Sequence, residues 1–116
     1  MILLYLSGTT MALTAVVHSV FGEKRLIGPI LALNGGILLV PLARQVLRFA
    51  WHLTSVLMLV SAVLVIWPGT PLGLIQITGA AWLAAGFLDA VYTQGKHIGW
   101  PFLSGAGICA LLSTLS

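Results

Sequence analysis

Charge is what this sequence has least of. Only 6% of its 116 residues are charged, while 59% are hydrophobic. Ordinary soluble domains carry roughly 25% charged residues. A soluble domain of this size could not hide so much apolar surface, because small domains leave a large share of their surface in water. The composition therefore predicts an integral membrane protein and excludes the ordinary soluble classes.

Acidic residues and cysteines are scarcer still. Two Asp and Glu residues stand against five Lys and Arg residues, which gives a net charge of +3. In a membrane protein such a surplus indicates topology, and the scattered basic residues form no patch typical of nucleic-acid binding. The single cysteine, Cys109, has no partner for a disulfide or for a CxxC site. We interpret Cys109 as a small apolar packing residue.

Catalytic motifs are also missing from the sequence. It contains no HExxH, no phosphate-binding loop, no nucleophile elbow and no pair of carboxylates within one apolar run. We therefore expect no enzymatic activity and no resident catalytic metal.

Long uncharged runs are what the sequence does contain. The run that organises the chain follows Arg44 and Arg48, and it extends over 19 residues without a charged side chain, from Phe49 to Trp67. His52 lies within it, on the same helical face as the two arginines. That length is close to the ~20 residues that a helix needs to cross the hydrocarbon core. We predict an all-α integral membrane four-helix bundle in one domain, residues 1–116. The predicted spans are residues 2–22, 46–67, 72–92 and 100–115.

The segment at residues 26–43 is uncharged but broken. Gly28-Pro29, Asn34-Gly35-Gly36 and Pro41 interrupt any helix across it. If it does not span, all five basic residues fall on one side, as the positive-inside rule expects. We predict an interfacial or re-entrant connection here. Basic loops would then be cytoplasmic, with both termini outside, in a membrane that we expect to be the bacterial inner membrane.

Small residues recur at helical spacing in two of the spans. These predicted packing seams consist of Gly8, Ala12, Ala15 and Ser19 in the first span, and of Ala81, Ala85 and Gly86 in the third. Helices in lipid associate where small side chains let their backbones approach. The seams predict close helix contacts with other helices of the chain or with partner helices.

Ionisable side chains gather at the cytoplasmic ends of the predicted spans. We predict a structural ion-pair collar made by Glu23, Arg44, Arg48 and Asp89. Asp89 is expected to pair with Arg48 or Arg44, and Glu23 with the basic residue that is left. Such groups are costly within a membrane unless they are paired or functional.

His18 and His52 allow a different interpretation of the same region. Antiparallel neighbouring helices would place both imidazoles at similar depth, where they could ligate a b-type haem, another metal or a pigment. Arg44 or Arg48 would then hold the propionates. The spacing of the two histidines is not diagnostic, and imidazoles bonded to a carboxylate or a carbonyl are the alternative.

The function expected from these features is that of a non-catalytic accessory or assembly subunit of a larger membrane complex, for example an energy-transducing one. Its partners would be the lipid bilayer and other membrane subunits or copies of itself. The alternative is a cofactor-binding membrane protein using His18 and His52. A small ion, proton or solute transporter is a lesser alternative, because the middle of the predicted spans holds few polar groups.

Overall fold

The computed structural model describes residues 1–115, and over that range it contains four helices and no strand. The helices are α1 (Ile2–Ala32), α2 (Pro41–Ile66), α3 (Leu72–Tyr92) and α4 (Gly99–Ser113). The first three are long and apolar enough to cross a membrane, whereas α4 is a shorter apolar helix of 15 residues. The predicted all-α bundle is therefore confirmed.

Helix α1 is longer than the predicted first span. It is α-helical over Ile2–Gly22, π-helical over Glu23–Ile27, and α-helical again over Gly28–Ala32. The charged residues after Gly22 therefore lie inside the helix and do not end it. Pro29 has no N–H, and its ring crowds the carbonyl four residues earlier. The wider π-helical turn just before Pro29 lets the helix continue through this position.

The chain reverses direction between α1 and α2. Asn34 and Gly36 have positive φ angles of 50° and 58°, which do not continue a right-handed α-helix. A 3₁₀ turn over Gly36–Leu39 follows, and Pro41 is the first residue of α2, where its missing N–H has no cost. Residues 26–43 are thus divided among the end of α1, a short connection and the start of α2. They form no spanning helix of their own.

Helix α1 lies between α2 and α4, and α3 packs along the other side of α4. Helices α2 and α3 are consecutive in sequence but contact each other little. One core nevertheless unites the bundle around Met11 of α1, which is fully buried. The other helices contribute Ala62 and Val65 of α2, Trp82 of α3 and Ala106 of α4.

Glycines set the distance between α3 and α4. A Cβ atom on Gly107 would lie 2.5 Å from the backbone nitrogen of Leu83 and 2.6 Å from the carbonyl oxygen of Gly79. A Cβ atom on Gly86 would likewise overlap Ser104 of α4. Backbone atoms of a packed helix cannot move aside as a flexible side chain can. The close approach of these two helices therefore requires glycine.

We predict that Gly107→Ala lowers the stability of the bundle in detergent by roughly 1–3 kcal/mol, because the new methyl group would force α3 and α4 apart. Gly105→Ala is the matched control in the same helix, since a Cβ there meets nothing within 4 Å. Replacing that glycine should leave stability unchanged or raise it by about 0.5–1 kcal/mol. Unfolding by SDS titration measures both. Equal effects of the two substitutions would contradict the packing described here.

Candidate functional site

Helices α1 and α2 are joined near their charged ends by a hydrogen-bonded chain, which we call the α1–α2 clamp (Ser19, Glu23, Arg48, His52 and Ser55). Arg48 donates from Nε to Glu23 Oε1 at 2.7 Å and from Nη2 to Oε2 at 3.3 Å. This two-pronged geometry fixes the carboxylate in orientation as well as in position. His52 Nε2 lies 3.1 Å from the same Oε1 atom.

From His52 the clamp continues into the bundle. His52 Nδ1 lies 2.9 Å from Ser19 Oγ, which lies 2.6 Å from Ser55 Oγ. Ser55 is buried, whereas Arg48 and Glu23 are partly exposed. The spacing of Arg48, His52 and Ser55 at i, i+4 and i+7 places them on one face of α2. The clamp therefore runs from the surface of the bundle to its interior.

The donors and acceptors of the clamp can be assigned from its chemistry. An ionised Glu23, held by Arg48, accepts a hydrogen from His52 Nε2. Ser19 donates to Ser55 Oγ, and the same Ser19 oxygen faces His52 Nδ1. The five side chains therefore form one continuous chain of hydrogen-bonding partners between α1 and α2.

The inner end of the clamp is Ser55. Nearer the N-terminus of α1, a hydrogen bond between helices is donated by Ser7 Oγ to the Ala106 carbonyl at 2.7 Å. Ser7 lies 12 residues before Ser19, which is roughly 18 Å along a helix. The polar groups of residues 1–115 therefore form no continuous path across the bundle.

A second contact between α1 and α2 lies beside the clamp. The rings of His18 and Trp51 stack with their centroids 4.1 Å apart and an interplanar angle of 11°. Trp51 Nε1 donates to the His18 carbonyl at 2.9 Å. Gly22 leaves room for the indole, because a Cβ there would overlap the ring. His18 Nε2 is buried and has no hydrogen-bond partner among the described residues.

The structure divides the residues of the predicted collar among separate contacts. Glu23 and Arg48 pair with each other, but Asp89 Oδ2 pairs with His97 Nδ1 at 2.7 Å and not with an arginine. Arg44 donates to Asn34 Oδ1 at 3.4 Å and to the Leu38 carbonyl at 3.3 Å. The expected pairing of Asp89 with Arg44 or Arg48 fails because α1 and α4 lie between α2 and α3.

The two histidines proposed as cofactor ligands have different surroundings. Both ring nitrogens of His52 face protein partners, so ligating a haem iron would cost it a bond to Glu23 or to Ser19. Arg48 donates to Glu23 and Arg44 to the connection, so a propionate would compete with these contacts. Residues 1–115 contain no group of three or more His, Cys, Asp or Glu side chains that could hold a metal. Of the two, only His18 has a buried ring nitrogen without a hydrogen-bond partner among the described residues.

The predicted small-residue seams occupy different surroundings. In α1, a Cβ on Gly8 would lie 2.5 Å from Ile66 Cγ2, Ala15 is buried, and Ser19 bonds Ser55. Ala12 is partly buried against the core. In α3, Gly86 faces α4, but Ala81 and Ala85 are exposed. The seam of α1 thus lies at its contact with α2, and only Gly86 of the second seam lies at a contact within the chain.

One face of α3 is exposed, with no other helix of residues 1–115 packed over it. The buried residues Ile75, Gly79, Trp82 and Gly86 form one stripe along α3. On the opposite side lie exposed residues at helical spacing, which we call the α3 outer face: Gly73, Ile77, Ala80, Ala84 and Leu88. Ala80 and Ala84 are one turn apart, and a Cβ on Gly73 would meet nothing within 4 Å. This face is apolar, and small side chains make up more than half of it.

Comparison of this chain with protein-family models, with curated proteins and with solved structures finds no significant match.

We predict that Ser55→Ala weakens the α1–α2 contact, because it removes the buried hydroxyl that bonds Ser19. The expected loss in the free energy of unfolding is about 0.6 kcal/mol and at most ~1.7 kcal/mol, the range for hydrogen bonds between helices in membranes. Ser61→Ala is the control, since Ser61 donates to the Leu57 carbonyl of its own helix. SDS titration of both variants should separate them. An equal or larger loss for Ser61→Ala would show that the clamp contributes nothing to stability.

Proposed function

We propose that this protein is a non-catalytic accessory subunit of a larger membrane complex, for example an energy-transducing one. The α3 outer face is the surface that contacts another subunit. The observation that supports this is the exposure of Ala80 and Ala84, one turn apart, on a helix face that no other helix of the chain covers. Lipid tails give no advantage to alanine over leucine, whereas a partner helix does, because small side chains permit close backbone approach.

The polar side chains also support a structural role. The clamp residues satisfy one another within the chain, and the partly exposed Asp89 and His97 do the same at the end of α3. The turns between helices are short, so little of the chain is left outside a bilayer to bind a soluble partner. In this proposal the protein lies in a bacterial inner membrane with its basic connections on the cytoplasmic side.

We predict that Ala84→Leu removes the protein from its complex, because a leucine at this position would prevent close approach of a partner helix. The control is Ala50→Leu, which makes the same change at an exposed position of α2. Native gels of membranes solubilised in mild detergent report the size of the assembly. The wild type and the Ala50→Leu variant should migrate well above the 12.2 kDa monomer, whereas Ala84→Leu should not.

A wild-type protein that is monomeric under these conditions would contradict the proposal. So would an assembly that Ala84→Leu leaves intact. A homogeneous assembly containing only this chain would replace the accessory role with self-association.

A second candidate is cofactor binding, which one observation favours: the buried Nε2 of His18 has no hydrogen-bond partner within residues 1–115. An imidazole nitrogen in this state suits a metal or a pigment. If this candidate holds, protein purified from native membranes should absorb visible light, and His18→Ala should abolish the band. His52→Ala should reduce it less, since His52 is bound to Glu23 and Ser19. A colourless, metal-free preparation would exclude this function.

A further inference from the structure

The two halves of the bundle are staggered along its length. Helices α1 and α4 are antiparallel, and Ser7 of α1 donates a hydrogen bond to the Ala106 carbonyl of α4, so these two residues lie at one level. From that level α4 extends back to its first residue, Gly99, over roughly 10 Å. Helix α1 and the residue after it extend in the same direction, as far as Leu33, over roughly 39 Å. The end of the α1–α2 hairpin therefore projects about 28 Å past the start of α4.

Helix α3 and the turn after it limit where the bilayer can lie. The 21 residues of α3 extend for about 31 Å, which matches the ~30 Å thickness of the hydrocarbon core. The following turn contains Lys96 and His97, both exposed, which would be costly in lipid. A bilayer placed closer to the end of the hairpin would bury this turn. Asp89, near the end of α3, is level with the start of α4, because its Oδ2 lies 3.5 Å from where a Cβ of Gly99 would be. The hydrocarbon therefore ends close to the start of α4.

Exposed apolar side chains lie at the end of the hairpin, and we call them the hairpin tip (Leu33, Ile37, Leu39, Val40 and Leu42). Their exposed fractions are between 46% and 76%. The tip lies about 20 Å past the end of α3, whereas a headgroup layer is only about 5–8 Å thick. A tilt of about 20°, the average for membrane helices, shortens this distance by less than a tenth. The tip therefore passes beyond the lipid into water, where a cluster of apolar side chains marks a surface that binds protein.

Arg44 adds a positive charge to the hairpin tip. Its Nη1 donates to the Leu38 carbonyl at 3.3 Å and to Asn34 Oδ1 at 3.4 Å, which holds the guanidinium against the tip. Within residues 1–115 no carboxylate pairs with Arg44, and its Nε and Nη2 atoms have no hydrogen-bond acceptor. A guanidinium with free donors on adjacent nitrogens matches the two oxygens of a carboxylate. The surface that complements the tip is therefore apolar with an acidic side chain.

A second copy of this chain does not offer such a surface. The sequence has two acidic side chains, Glu23 and Asp89. Glu23 is bound by Arg48 and Asp89 by His97. In a copy with the same orientation in the membrane, Glu23 would lie roughly 15 Å below the level of the tip, and Asp89 would lie deeper still. The acidic side chain must therefore come from a different protein.

We propose that the hairpin tip inserts into an apolar groove of another protein, on the side of the membrane where the basic residues lie, and that a carboxylate in this groove binds Arg44. Apolar side chains around an arginine are typical of the core of a protein interface. This contact is separate from the α3 outer face and does not depend on it.

The depth of the tip can be measured with one fluorophore on the purified protein in nanodiscs. Cys109 is the single cysteine, so Ile37→Cys in a Cys109→Ser background accepts one label. We expect aqueous iodide to quench this label and spin-labelled lipids to leave it unchanged. Val63→Cys, at an exposed position of α2 in the membrane, is the control and should give the opposite result. Quenching of the Ile37→Cys label by spin-labelled lipid would place the tip in the bilayer and overturn the proposal. Shielding from both quenchers would place a second copy there, which also overturns it.

The partner can be captured by a photo-crosslinking amino acid at position 37 in cells that express the protein at its native level. We expect one discrete adduct with a different polypeptide. Arg44→Gln should lower its yield about ten-fold, since it removes a hydrogen-bonded ion pair. Arg25→Gln is the control, because Arg25 is exposed on α1 and contacts Phe21 instead of the tip. Leu39→Gln, which leaves the contacts of Arg44 in place, should also lower the yield.

Three results at position 37 would overturn the proposal: adducts with lipid alone, adducts between two copies of this chain, or no adduct. A discrete adduct whose yield neither Arg44→Gln nor Leu39→Gln lowers would also contradict it. Crosslinking at position 84 reports on the α3 outer face separately. An adduct at position 84 without one at position 37 would leave the accessory role standing and remove this inference alone.

Discussion

Close backbone approach at small residues is the constraint on which the rest of this structure depends. Lipid tails are as apolar as leucine, so no hydrophobic force drives one helix of the chain against another inside a bilayer. Contact must come from packing and from hydrogen bonds between helices. Gly79 and Gly107 bring α3 and α4 together, and Gly8 brings α1 against the end of α2. With α4 fixed to both α1 and α3, all four helices can share the core around Met11.

The α1–α2 clamp fixes the register of α1 along α2. Sliding α1 along α2 by one turn would separate Glu23 from Arg48 and Ser19 from Ser55 at the same time. A buried hydroxyl without a partner costs more in a membrane than in water, where solvent can replace the lost bond. The π-helical turn begins at Glu23 itself. The change in helical winding and the ion pair therefore occupy the same place in α1.

The sequence was sufficient to predict the fold class, because charge and hydropathy decide whether helices are buried in lipid. It also predicted that Glu23 pairs with a basic residue in an ion-pair collar, without deciding which one. It could not predict which helices are neighbours. Asp89 was expected beside an arginine, but α3 packs on α4, so His97 in the following turn is its partner. The long α1 was also missed, because the charged residues that follow Gly22 were expected to end the first span, whereas the helix continues through them.

The small residues of α3 also show what could and could not be predicted from the sequence. Gly86 was recognised from its small neighbours, yet Ala81 and Ala85 beside it are exposed. Periodicity identifies a helix face that is lined by small side chains. It does not show whether a helix of this chain or of another chain covers that face. That difference is the basis of the proposed function, since the stripe of α3 through Gly79 and Gly86 is used internally and the stripe through Ala80 and Ala84 is not.

The most direct test of this account is a photo-crosslinking amino acid placed at position 84 in cells that express the protein at its native level. Ultraviolet light joins the side chain to whatever touches it in the membrane. The account predicts one discrete adduct with a different membrane polypeptide, and none when the same group replaces Ala50. Adducts with lipid alone at position 84 would show that the α3 outer face has no protein partner, and the proposed accessory role would be wrong.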